Sequence, residues 1–126
     1  MSRRTFLLWA PFVAALALGF WLSSLEQAAG SQLVWDKVLH VIEFTGLGFL
    51  ALRAFHGGLR RPELAPTLRA GTVIVLWAIS DELHQSFVPG RDASALDVVA
   101  DVIGFGVALG VVLALASRRG GAKTAL

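Results

Sequence analysis

From Phe6 to Leu25 the chain runs for twenty residues without a charged side chain. A membrane-spanning helix needs roughly 17–25 predominantly apolar residues, so this run directs the fold toward a bilayer. Three further apolar stretches follow. They predict spans at about residues 38–55, 68–87 and 95–116, after the first at about 6–25. The fourth qualifies as readily as the first, and the second does so despite His40, Glu43 and Arg53. The third qualifies only if Asp81 to Gln85 occupy its last turns. The expected fold is all-α, an integral-membrane four-helix bundle in a single domain over residues 1–126.

Composition agrees. Charged residues are 16% of the chain and hydrophobic ones 56%, with a mean hydropathy of +0.68. Soluble domains carry about 25% charged residues, so this chain is written for lipid as its solvent. The absence of cysteine excludes disulfides, thiolate metal sites and cysteine nucleophiles. No nucleic-acid partner is expected; membrane lipids are.

Charge placement sets the expected direction. Arg3, Arg4, Arg53, Arg60, Arg61, Arg69, Arg118, Arg119 and Lys123 fall on one side of the four spans, nine of the eleven basic residues. The positive-inside rule assigns that side to the cytoplasm, with both termini there, in a bacterial inner membrane. Lys37 and Arg91 alone fall outside. The acids are biased the other way: only Glu63 lies inside, whereas Glu26, Asp36, Glu43, Asp81, Glu82, Asp92, Asp97 and Asp101 lie outside or in outer halves of spans. Acids hardly influence insertion, so that bias needs another cause. A rival reading makes the first segment a cleaved signal peptide, with Ala28-Ala29-Gly30 as a weak cleavage site.

The loops are short. His56-Gly57-Gly58 stops the second helix, Pro62 and Pro66 are expected to keep the next loop non-helical, and Val88-Pro89-Gly90 marks a turn. Gly120 to Leu126 reads as a frayed tail. The tryptophans read as interface anchors, except Trp77, which suits the core.

The polar residues form stripes. Asp36, His40 and Glu43 recur at i, i+4 and i+7; Asp81, His84 and Gln85 at i, i+3 and i+4; Asp97 and Asp101 at i and i+4. Carboxylates do not face lipid cheaply, at about 2.5–3.5 kcal/mol for Asp near a helix centre, so stripes from spans two, three and four should converge. Solvated interface residues and helix-end acids are the plain alternatives for Asp36, Lys37, Asp81 and Glu82, and an interhelical hydrogen bond for His40. Gly106-x-x-x-Gly110 and Gly46-x-Gly48 suit close helix packing, with a homodimer as the lesser reading.

Together these motifs resemble the VanZ-like family of small bacterial membrane proteins. The residues that carry the resemblance are Asp36-Lys37-x-x-His40, Gly46-Leu47-Gly48, the block from Asp81-Glu82-x-His84-Gln85 to Phe87-Val88-Pro89-Gly90-Arg91, then Asp97 and Gly104. Family members often carry tyrosine where this chain has Phe44, and the chain has no tyrosine to replace that hydroxyl. The resemblance implies a cell-envelope setting. The name-giving member is associated with teicoplanin resistance, and teicoplanin acts on lipid-linked cell-wall precursor.

The candidate site is Asp36, Lys37, His40, Glu43, Asp81, Glu82, Gln85, Arg91, Asp97 and Asp101. The favoured reading is an outward polar pocket that binds or modulates an amphiphile, either a lipid-linked cell-wall precursor or an amphiphilic antibiotic. Whether the chain is an enzyme stays open. A membrane-embedded enzyme would use a divalent metal as cofactor, on His40, Glu43, Asp81, Asp97 or Asp101, or paired acids. HExxH, G-x-S-x-G and Walker signatures are absent. Ion or proton transport is weakest, because residues 73–76 and 107–115 are apolar.

Overall fold

The structure, a computed structural model, describes residues 1–25 and 33–121. Glu26, the Ala28-Ala29-Gly30 signal and the tail beyond Gly121, Lys123 included, lie outside the described residues. Four helices follow in order: α1 Arg3–Ser23, α2 Leu33–Phe55, α3 Leu64–Gln85 and α4 Ala95–Gly121. Among the described residues there is no strand. Arg3–Ser23, Trp35–Phe55 and Ala95–Arg119 are long and apolar enough to cross a membrane. α3 does not reach that standard; Asp81, Glu82 and Gln85 lie on its last turns. All three are buried inside the protein rather than turned to lipid. The fold is a helical membrane bundle.

Local chemistry sets the helix ends. The Ser2 hydroxyl accepts the Thr5 N–H at 3.1 Å and caps α1. α2 ends in a Schellman-type turn: Gly57 and Gly58 take φ of +65° and +137°, and Gly58 N–H donates to Arg53 O at 2.8 Å. His56 Nδ1 donates to Leu52 O at 2.9 Å while its Nε2 accepts the Glu63 N–H at 3.1 Å, so one imidazole closes the α2–α3 loop. Pro66 departs from the expectation of a non-helical loop. It stands in the first turn of α3, where no N–H is needed within the helix. α3 stops at Gln85 rather than Phe87. Val88-Pro89-Gly90-Arg91 then forms a turn with Gly90 at φ +79° and Arg91 N–H on Val88 O at 3.2 Å, the backbone of a type II turn. α4 runs on through Gly120 and Gly121, which a frayed tail did not anticipate.

α2 is the central helix. It runs parallel to α4 with residues 37, 40, 45 and 48 facing 97, 101, 104 and 108. A Cβ on Gly104 would stand 2.7 Å from Val41 O and 2.9 Å from Thr45 N, so the two backbones touch there. Gly48 admits Phe105 and Ala108 in the same way. Lipid offers no hydrophobic push between helices, so small residues permitting this approach do the packing. Among the described residues, Gly46, Gly106 and Gly110 meet nothing within 4 Å; Gly106-x-x-x-Gly110 therefore plays no part in this seam. Phe12, Phe44, Leu47, Leu52, Ile74 and Val112 fill the core.

α1 is held differently. Pro11 lies inside it and has no N–H to offer the Leu7 carbonyl one turn back. Arg53 of α2 supplies the donors instead, Nη1 and Nη2 reaching Leu7 O at 3.2 and 3.3 Å. Trp9 packs on Phe55 at 4.9 Å between ring centroids, and Trp77 is half-buried against the core. Trp21 and Trp35 are exposed.

Candidate functional site

The polar stripes meet at the end of the bundle where α3 stops and α4 begins. α3 enters this end with Asp81, Glu82 and Gln85 turned inward. The Pro-Gly turn reverses the chain, and Ser94 starts α4 by accepting the Leu96 N–H on its hydroxyl at 3.2 Å. The Ser94 backbone N–H donates to Glu82 Oε2 at 3.1 Å, fastening the end of α3 to the start of α4. Asp97 then falls in the first turn of α4, a position that the helix dipole favours for an acid.

Side chains pair between helices in an ordered way. Lys37 Nζ stands 2.5 Å from Asp97 Oδ1. His40 Nδ1 stands 2.8 Å from Asp101 Oδ1. Gln85 Nε2 donates to Asp81 Oδ2 at 2.7 Å within α3. Arg91 reaches from the turn to Asp36 at 3.9 Å, a looser ion pair. Among the described residues, four buried polar atoms have no partner: Asp81 Oδ1, Glu82 Oε1, Asp101 Oδ2 and Arg91 Nε. Buried polar groups without partners are uncommon in folded proteins, and each calls for a reason.

The ten candidate residues divide into two layers. Asp36, His40, Glu43, Asp81, Gln85 and Arg91 line a cleft of about 500 Å³. Lys37, Glu82, Asp97 and Asp101 do not line it; they stand behind, in the seams of α4 with α2 and α3. Besides the side chains from spans two and three, the cleft has a wall from α1. Leu18, Gly19 and Leu22 of α1 face Leu39, Ile42 and Leu50 of α2 across it. At Gly19 a Cβ would stand 2.5 Å from Glu43 Oε1, so a carboxylate lies directly against the α1 backbone. That glycine within a run of large apolar residues was the one available signal for the wall.

His84 takes another part. It turns to α1 rather than into the cleft: its ring centroid is 4.4 Å from that of Phe20, and Nε2 pairs with the Ser24 hydroxyl at 2.9 Å. Asp92 is exposed.

One subset has the composition of a metal site. Asp36, His40 and Asp97 each place one ligand atom so that all three lie within 4.8 Å of one another. His40 and Asp97 stand among the metal ligands expected from the sequence. Glu43, Asp81 and Asp101 do not join this group, and Asp36 takes a place in it. The remaining geometry can do two things: present carboxylate, amide and guanidinium groups to a polar head, and an apolar wall to a chain. A family model described as VanZ/LLP1 matches residues 2–118. No curated protein and no solved structure matches the chain.

Proposed function

We propose that this chain, which belongs to the VanZ/LLP1 family, holds an amphiphilic ligand of the cell envelope in the cleft between α1, α2 and α3. The observation that carries this reading is the polarity of the cleft. Asp81 and Arg91 both line it, and each keeps one buried polar atom, an acceptor Oδ1 and a donor Nε, without a partner among the described residues. A headgroup bearing hydroxyl, amide or ammonium donors satisfies Asp36, Glu43 and Asp81, and Arg91 serves a phosphate or carboxylate oxygen. Leu18, Leu22, Leu39 and Leu50 receive the apolar part. Ligand sites commonly join a largely apolar wall to a few placed polar groups.

Direction follows from the basic residues. With nine of eleven on the other side of the spans, the cleft faces outward from a bacterial inner membrane crossed four times. In that position the fitting ligands are a lipid-linked cell-wall precursor or an amphiphilic antibiotic, the setting in which teicoplanin acts.

Native mass spectrometry of the full chain released from detergent micelles tests the reading. An amphiphile retained by the wild type and lost in Arg91→Met and Asp81→Asn is the expected result. Equal retention in all three, with helical circular dichroism intact, would remove the cleft as its site.

A further inference from the structure

The structure assigns a second ligand to this end of the bundle: we infer that Asp36, His40 and Asp97 bind a divalent transition-metal cation, in competition with the ammonium of Lys37. The cation site borders the cleft proposed for the amphiphile and shares Asp36 and His40 with its lining, while Asp97 lies behind it.

The ligand set suits such an ion. One imidazole nitrogen and two carboxylate oxygens are the donors that Mn²⁺ and Zn²⁺ accept. Metal bonds of about 2.1 Å hold neighbouring ligand atoms about 3.0–3.5 Å apart, so a group lying within 4.8 Å must close by up to about 1.3–1.8 Å at its widest. Side-chain rotation covers that distance.

The surroundings carry the argument beyond a cluster of acids. Asp101 holds His40 Nδ1 at 2.8 Å, and with one imidazole nitrogen on a carboxylate the other is the one left to bind a cation, in exchange for any proton it carries. Asp101 is 1% exposed, and its Oδ2, on the same carboxyl that grips the imidazole, has no partner among the described residues. Asp97 is also 1% exposed. Two buried carboxylates stand one turn apart on α4, facing Asp36 and His40 one turn apart on α2. Buried charge of one sign requires compensation from the other.

Lys37 supplies part of that compensation now. Its Nζ stands 2.5 Å from Asp97 Oδ1, while its side chain is 24% exposed against 2% for Asp97. The ammonium thus reaches in from the rim on a flexible four-carbon stem and pairs with the carboxylate a metal would take. It is a resident monovalent cation that a divalent one can displace.

Manganese binding to the full chain in micelles, stripped with EDTA and dialysed, tests the inference by loss of the free-ion EPR signal, with Zn²⁺ as competitor. One saturable site per chain is expected. Lys37→Met should tighten it about tenfold or more by removing the competitor, and Asp97→Asn and Asp36→Asn should each weaken it about tenfold or more. Asp101 acts as a positioning residue: in the Co²⁺-loaded protein, Asp101→Asn should shift the visible absorption of the ion while far-ultraviolet circular dichroism holds. Absence of saturable binding in both the wild type and folded Lys37→Met overturns the proposal. So does binding that neither Asp36→Asn nor Asp97→Asn alters. Neither result bears on whether the cleft retains an amphiphile, which mass spectrometry reads separately.

Discussion

His40 Nδ1 and Asp101 Oδ1 meet at 2.8 Å in the α2–α4 seam, both residues more than nine-tenths buried. Each is the other's compensation. Removing one partner of a buried pair strands the other, at a cost of about 3–5 kcal/mol, whereas removing both leaves nothing uncompensated. Asp101→Ala should therefore unfold earlier than His40→Leu/Asp101→Leu in a thermal or denaturant titration in micelles. A double variant less stable than both singles would show that the pair is not the unit.

The α2–α4 seam rests on backbone contact at Gly104. A methyl group there meets Val41 O at 2.7 Å and Thr45 N at 2.9 Å, and neither backbone atom can rotate away. Gly104→Ala should cost about 1–3 kcal/mol, as overpacking does. Gly106→Ala, two residues on, meets open space among the described residues and should leave unfolding within about 0.5 kcal/mol of wild type. The contrast between two neighbouring glycines of one helix is the measurement.

At the opposite end, Pro11, Leu7 and Arg53 make a coupled set. The carbonyl that Pro11 leaves without an intrahelical donor is the one Arg53 occupies. Arg53→Met should destabilise by about 1–3 kcal/mol, as loss of a hydrogen bond from a charged donor does. In a Pro11→Ala background the N–H restored at that position serves Leu7 O, so the same Arg53→Met substitution should cost about 1 kcal/mol less. Additive effects in the four-member cycle would show that Arg53 and Pro11 are unrelated.

Much of this molecule was legible in the chain, for a local reason. Uncharged runs of spanning length specify helices, and a 3.6-residue period places Asp36, His40 and Glu43 on one face without any tertiary knowledge. Which carboxylate each cation meets was not legible, because the Lys37–Asp97 and His40–Asp101 pairs depend on α2 and α4 running parallel at one register. Gly104 sets that register. Nor did α1 advertise itself as a wall, having no ionisable residue between Thr5 and Ser23. Gly106-x-x-x-Gly110 carries the packing signature yet meets nothing among the described residues, while Gly48 and Gly104 do the packing. Spacing alone does not say which side of a helix has a neighbour.

The α1 wall yields the sharpest separation of binding from stability. The Cβ that Gly19 lacks would stand 2.5 Å from Glu43 Oε1, the far end of a flexible side chain, and 3.7 Å from its Cδ, with nothing else among the described residues within 4 Å. Glu43 can swing aside, so Gly19→Ala should fold with stability near wild type, helped by the better helix propensity of alanine, about 1 kcal/mol. The displaced carboxylate has the cleft to move into. Gly19→Leu adds an apolar side chain to the same wall, facing Leu39 and Ile42 across the space an acyl chain would fill. Amphiphile retained by the wild type should therefore fall in Gly19→Ala and be lost in Gly19→Leu, while the first unfolds no earlier than wild type on heating. Manganese binding at Asp36, His40 and Asp97 should survive both, because Gly19 meets Glu43 and not those ligands. If Gly19→Leu retains amphiphile as the wild type does, the ligand does not lie against α1.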